Sequence, residues 1–198
     1  MNKTSIFKCV HSQILNYRQV QPSRLAEKEA VMLSSTTETG GSIAGWKHTH
    51  LAEVVSIDNP AIYGLDSVRE AGVYCKQDLI DLFRTELQAR LTVAEAEKDE
   101  FRIRLLKEWI AEEYEYVVIA GLHRFSIMDK VGAKWMETNA KHPDFQYTLE
   151  VPLHVVTAAS ASVLQQLQHA QNAEGASQIP VTDEDIVKMA VSALRSGF

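Results

Sequence analysis

Four consecutive residues, Gly121, Leu122, His123 and Arg124, bring together what a phosphate-gripping turn needs. Glycine lets the backbone turn tightly and approach a ligand closely. Arginine offers a fork of N–H donors matched to phosphate oxygens. Histidine titrates near neutral pH, so it can donate to a phosphate or move a proton. The flanking residues add to this. Tyr116–Ala120 is a continuous apolar, β-branched run, which suits a strand buried on both faces inside a parallel or mixed sheet. From Phe125 the spacing turns helical, through Ile127 or Met128, Val131 and Trp135. A helix starting where a strand ends carries N–H groups without intrahelical partners, and with the helix dipole these form an anion site. Gly-x-His-Arg by itself is a short motif that recurs by chance. The plainer reading pairs Arg124 with an upstream acid such as Glu112 or Glu113 and leaves His123 as a hydrogen-bonded surface residue.

The elements that would position this turn can be read around it. Leu51–Ile57 reads as a strand ending before Asn59-Pro60, and Val151–Val156 as another, with Pro152 at a strand start or an edge. Asp66–Gly72 reads as turn or irregular chain. Leu79, Leu82, Phe83 and Leu87 predict a helix over Lys76–Leu91. Thr92-Val93-Ala94-Glu95 has the form of a capping box and predicts a second helix from about Val93 to Glu113. Its apolar stripe is Phe101, Leu105 and Trp109, and its other faces read as solvated charge. Ser160–Gln171 reads as helical, with Val163, Leu164 and Leu167 on one face. Thr182 is the N-cap of a last helix carrying Ile186, Val187, Ala190 and Leu194. Ile6, Val10 and Ile14 fit a short helix or a strand. Ser34–Ser42 lacks apolar side chains and reads as a loop.

With 198 residues, one domain with some decoration is the expectation: an N-terminal extension or appendage over 1–40 and an α/β (α+β) domain over 41–198. Cys9 and Cys75 have no partner at zinc-finger or CxxC spacing, which argues against a disulfide framework or a structural zinc site. No long apolar stretch suggests a leader or a span, so the expected location is cytoplasmic, or peripheral to the inner membrane, with no membrane insertion. A net charge of −6 is unlike that of a dedicated non-specific DNA binder, so contact with DNA would need a local patch. Two stretches could supply one: Lys3, Lys8, Arg18, Arg24, Lys28 and Lys47, or Arg124, Lys130, Lys134 and Lys141.

The run VVIAGLHRFSIM, followed by EVPLHVV and then LQHAQNAEG, resembles the ParB/sulfiredoxin superfamily. ParB-type domains carry a strand, a G-E-R-R box and a helix; sulfiredoxins carry G-C-H-R; both continue into an I/V-P-V strand. The resemblance implies a small mixed sheet with surrounding helices and a nucleotide bound at the box. It gives Gly121, Leu122, His123 and Arg124, with Asn172 of the later box, the ligand-binding role. Arg124 and His123 become the catalytic candidates. Leu122 stands where sulfiredoxins have their nucleophilic cysteine, and leucine cannot attack sulfur or phosphorus, so sulfinic-acid reduction is excluded. The ParB box glutamate is missing here, Gln171 replaces the later metal-binding glutamate, and no helix-turn-helix follows. By length and layout the chain looks like the plasmid-encoded fertility-inhibition members of the superfamily. That implies ATP binding and hydrolysis, with Mg2+, and DNase activity on the transferred strand of conjugative or T-DNA transfer. The other readings are a non-catalytic protein that blocks a type IV secretion or coupling component, and a ParB-like partition adaptor.

Other residues could also do chemistry. His48 and His50 share a side of an extended segment and, with Glu53 or Asp58, could hold a divalent metal. The plainer reading is the polar face of an edge strand. Glu95–Glu100, with Glu112, Glu113 and Glu115, could also supply metal ligands; the plainer reading is a solvated helix face. His154 alternates with Leu153 and Val155, and could line a cleft with His123 at the ends of adjacent strands. Phe101, Trp109 and Trp135 sit at core spacing. No Walker A, HExxH, GxSxG or Rossmann pattern is present.

Overall fold

The computed structural model describes residues 2–15, 22–35, 52–140, 149–173, 187 and 190–191. The apolar run before Gly121 forms strand β4 (Tyr116–Ala120), and its three central residues are buried. With β1 (Asn2–Ser5), β2 (Cys9–Val10), β3 (Ala52–Ser56) and β5 (Glu150–Val155) it makes one sheet in the order β1-β5-β3-β4-β2. The sheet is mixed: β3 runs antiparallel to β4 and parallel to β5, while β2 runs parallel to β4. Seven α-helices accompany it among the described residues, so the class is mixed α/β, as the alternation of patterns predicts.

The expected extension over 1–40 is, in its first ten residues, part of this sheet. β1 and β2 form its two edges, and Ile6 and Phe7 are buried in the turn between them. Strands of four and two residues are too short to show a period-2 alternation, so the sequence pattern conceals them. Helix α1 (Pro22–Ser35) covers the first two residues of the expected loop at Ser34–Ser42; the rest of that loop lies outside the described residues. So do most of the expected final helix after Thr182, residues His48 and His50, and the side chain of Asn172.

A one-turn helix, α2 (Asp66–Glu70), replaces the expected irregular segment, anchored by fully buried Val68. Helix α3 (Lys76–Glu97) runs past the expected break at Thr92. There the Thr92 hydroxyl donates to the Gln88 carbonyl at 3.1 Å, and buried Leu91 and Ala94 carry the apolar stripe onward. The break falls at Lys98, in the left-handed region with φ 57, and at Asp99, whose carboxylate accepts from Arg102 N at 3.0 Å. That side chain caps α4 (Glu100–Ala111). Leu105, Leu106 and Trp109 of α4 are buried, as their spacing predicts. Pro152 sits near the start of β5, but β5 is an interior strand; its pairing with β3 begins one residue later, at Leu153. Val163, expected on the inner face of α7 (Ala161–Ala173), is exposed, whereas Leu164 is buried.

After β4 come a four-residue helical turn, α5 (Leu122–Phe125), and then α6 (Met128–Asn139). The junction is held by charge. Asp129, 2% exposed, accepts from Arg102 Nε at 2.8 Å and from Arg90 Nη1 at 3.4 Å. Arg102 Nη1 also donates to Glu97 at 2.8 Å, and Arg90 Nη1 reaches the Ser126 carbonyl at 3.3 Å. Arg102 therefore departs from the expected solvated face of its helix. Beside this network His11 is fully enclosed, its ring within 6 Å of the rings of Phe83, Trp109 and Phe125.

Two outcomes follow for stability. Asp129→Ala strands the buried Arg102 guanidinium and lowers unfolding free energy by about 3–5 kcal/mol, measured by urea denaturation. A paired Arg102→Leu, Asp129→Leu variant recovers much of that loss. Burial, and then the charge of Arg90, hold the His11 imidazole well below its ordinary 6.5. In the unfolded chain His11 takes up a proton below about pH 6.5, while in the fold it stays neutral. Its contribution is thus complete above that pH and is lost as pH falls toward the folded-state value. The urea midpoint of His11→Leu declines less steeply than that of the wild type between about pH 7 and pH 5.

Candidate functional site

Gly121 ends β4 with φ 104, a backbone conformation that disfavours any side chain. It lies against β3: a Cβ built on it would meet Ala52 Cβ at 3.4 Å and Arg124 Nη2 at 3.7 Å. The Arg124 guanidinium therefore folds back over the glycine. Burial brings its pKa down to about 10, a sign that this cation has lost most of its water. Leu122 is 5% exposed and lines a cavity that opens to solvent. Nε2 of His123 is buried. The four residues of the turn thus have different surroundings, and Leu122 forms part of a cavity wall.

The expected helix N-terminus is smaller than a strand–helix junction suggests. The Gly121 carbonyl accepts from Arg124 N at 3.0 Å and from Phe125 N at 3.2 Å, so these two amides turn inward. A single four-residue turn sums few peptide dipoles. The cationic side chain is the main positive feature here. Glu112, one of the acids the plainer reading offers to Arg124, accepts from Glu113 N on its Oε1 at 3.1 Å.

Across the sheet from the turn lies a pair the sequence shows only in pieces. Glu53 sits opposite Ala120 on one side and His154 on the other. Its Oε1 is 3.2 Å from His154 Nδ1. The Glu53 side chain is 8% exposed and that of His154 is 57% exposed. A buried carboxylate oriented on one imidazole nitrogen leaves the other nitrogen toward solvent, as in a base held by its orienting acid. The ladder shifts register between Glu53 and Val54, so that Ile119 is an extra residue in β4 beside this pair. His154 and His123 do not stand on adjacent strands; β3 lies between β5 and β4. Glu53 could have been noticed as the single acid in the buried run Ala52–Val55.

The remaining candidates separate. Asp58 is at the far end of β3 from Glu53 and is bonded to Lys76 at 2.8 Å, so the two acids do not share a metal. No group of three or more metal-ligating side chains occurs among the described residues. Lys130 pairs with Glu29 at 3.5 Å and Lys134 with Glu137 at 2.7 Å, which dilutes the second basic stretch; Lys8 of the first is bonded to Glu115. Trp109 and Trp135 are core, and Phe101 is half-buried beneath Arg104. No helix among the described residues is long and apolar enough to cross a membrane.

No family model, no curated protein and no solved structure matches this chain.

Gly121→Ala places a side chain in the left-handed region against Ala52 and lowers stability by about 1–3 kcal/mol, read from the urea midpoint. Gly121→Asn costs less, because asparagine tolerates positive φ better.

Proposed function

We propose that this chain binds a nucleotide by its phosphates at the Gly121–Arg124 turn and hydrolyses phosphate esters there, ATP and DNA strands being the substrates. The observation that supports this reading is the desolvated Arg124 guanidinium, packed over a glycine at the end of the strand neighbouring the Glu53–His154 pair. The planar donors of a guanidinium suit phosphate oxygens. Glu53 orients His154, and the exposed edge of that imidazole takes a proton from attacking water. His123 adds a second titratable ring beside Arg124. Mg2+, were it bound with the nucleotide, would supply charge neutralisation at the phosphates.

The finer fold assignment belongs to the same proposal. The mixed sheet, the turn after β4 and the Glu150–Val155 strand fit a ParB/sulfiredoxin-like domain. The role carried with that resemblance is inhibition of conjugative or T-DNA transfer by acting on the transferred strand near a type IV secretion or coupling protein.

The test is magnesium-dependent hydrolysis of ATP and of single-stranded DNA by wild type, Arg124→Ala and His154→Gln, with circular dichroism on each. Turnover falls about 100-fold in Arg124→Ala and in His154→Gln, while both remain folded. Equal, trace-level turnover in all three overturns hydrolysis at this turn and favours a non-catalytic interaction protein.

A further inference from the structure

A cavity of about 460 Å³ lies on the inner side of the turn, outside the carboxyl ends of β2 and β4. These two strands are parallel neighbours, and the space beyond such ends is where open α/β sheets place ligands. Its volume falls within the range of small-molecule sites, about 300–1,000 Å³. Leu25, Ala89 and Leu122 give it apolar walls. His11 is one of its lining residues; its two ring nitrogens are buried just behind the wall, and neither has a hydrogen-bond partner among the described residues. Two unsatisfied polar atoms at full burial are costly and need a reason.

The charges around the imidazole decide what would satisfy it. Arg90 comes from α3, Arg102 from α4, and Lys130 from α6. Two acids face the same space. Asp129 is already bonded to Arg102 at 2.8 Å. Glu86 accepts from Ser12 Oγ at 2.8 Å; burial raises its carboxyl above the ordinary range, while the Ser12 hydroxyl and the charge of Arg90 draw it back down. Arg90 uses only Nη1 within the fold, in two long contacts of 3.3 and 3.4 Å; its Nε and Nη2 make no hydrogen bond among the described residues. A guanidinium edge and an unsatisfied imidazole thus share one small space with apolar walls.

We propose that this cavity binds a small organic molecule with an oxyanion head, a carboxylate or a phosphate ester, through the Arg90 guanidinium and the His11 imidazole. The anion takes the open Arg90 donors and one His11 N–H, and the apolar body packs on Leu25, Ala89 and Leu122. Arg124 is not among the residues that line the cavity. An anion beside His11 also offsets the Arg90 charge that disfavours imidazolium, so binding is linked to proton uptake.

The His11 ring signals are followed by NMR in the full chain, assigned by their loss in His11→Leu. Benzoate, phenyl phosphate and inorganic phosphate are the probes. At least one of the two aromatic anions shifts the His11 signals saturably, more tightly at about pH 6 than at pH 8. Arg90→Gln weakens that binding about tenfold or more, and Arg124→Ala leaves it unchanged. Benzoate binding alone assigns a carboxylate head, and phenyl phosphate binding alone a phosphate ester. The proposal is overturned by no saturable shift with any probe, by unaltered affinity in Arg90→Gln, or by inorganic phosphate matching phenyl phosphate. Loss of binding in Arg124→Ala alone would move the anion to the turn and overturn the cavity, while leaving the hydrolase reading intact.

Discussion

One carboxylate, Asp129, sets the position of everything around the turn. It sits in the first turn of α6, where an acid is favoured by the helix dipole, and it receives guanidinium donors from α3 and from α4. Its second partner, Arg90, also holds the Ser126 carbonyl, in the two-residue link between α5 and α6. Three long helices and the end of the Gly121 turn are therefore tied to one buried group. A buried ion pair adds little stability over an apolar cluster of equal volume. What it supplies is direction, because hydrogen bonds at 2.8 Å fix an orientation that apolar packing alone leaves degenerate.

That fixed junction explains why a four-residue turn can divide two environments. Gly121, at φ 104, reverses the chain against Ala52. Leu122 is then directed into the interior and Arg124 back over the glycine. Had the junction been one continuous helix from Gly121 to Asn139, its N-terminal dipole would dominate the turn. The break at Ser126–Ile127 leaves only a short turn, so positive charge is delivered by a side chain instead.

Where the sequence was legible, a long period carried the signal. β4, the apolar stripe of α4 and the start of α3 follow from runs of five or more residues with a clear pattern. The missed features are those in which a few tertiary contacts outweigh local preference. β1 and β2 are too short for any alternation to register, and only their pairing with β5 and β4 makes them strands. Thr92 has the residues of a cap, yet the apolar stripe of α3 runs through it and Asp99 caps the next helix better. The Gly-Leu-His-Arg turn was visible because glycine and arginine mark it. The Glu53–His154 contact was not, since its partners lie 101 residues apart and only the β3–β5 register joins them.

Buried polar groups mark the two sides of this turn, and each reflects the cost of removing a base from water. On one side burial makes a guanidinium easier to deprotonate; on the other, burial and a nearby guanidinium keep an imidazole neutral. Aromatic packing alone does not account for His11. A phenyl ring in its place would make similar edge contacts with Phe83 and Trp109 without leaving two nitrogens unsatisfied. The imidazole is therefore a polar choice in an apolar position, set against the open donors of Arg90. Where Arg102 meets both Asp129 and Glu97, Arg90 keeps open donors beside an unsatisfied imidazole, and that mismatch locates where an anion is wanted.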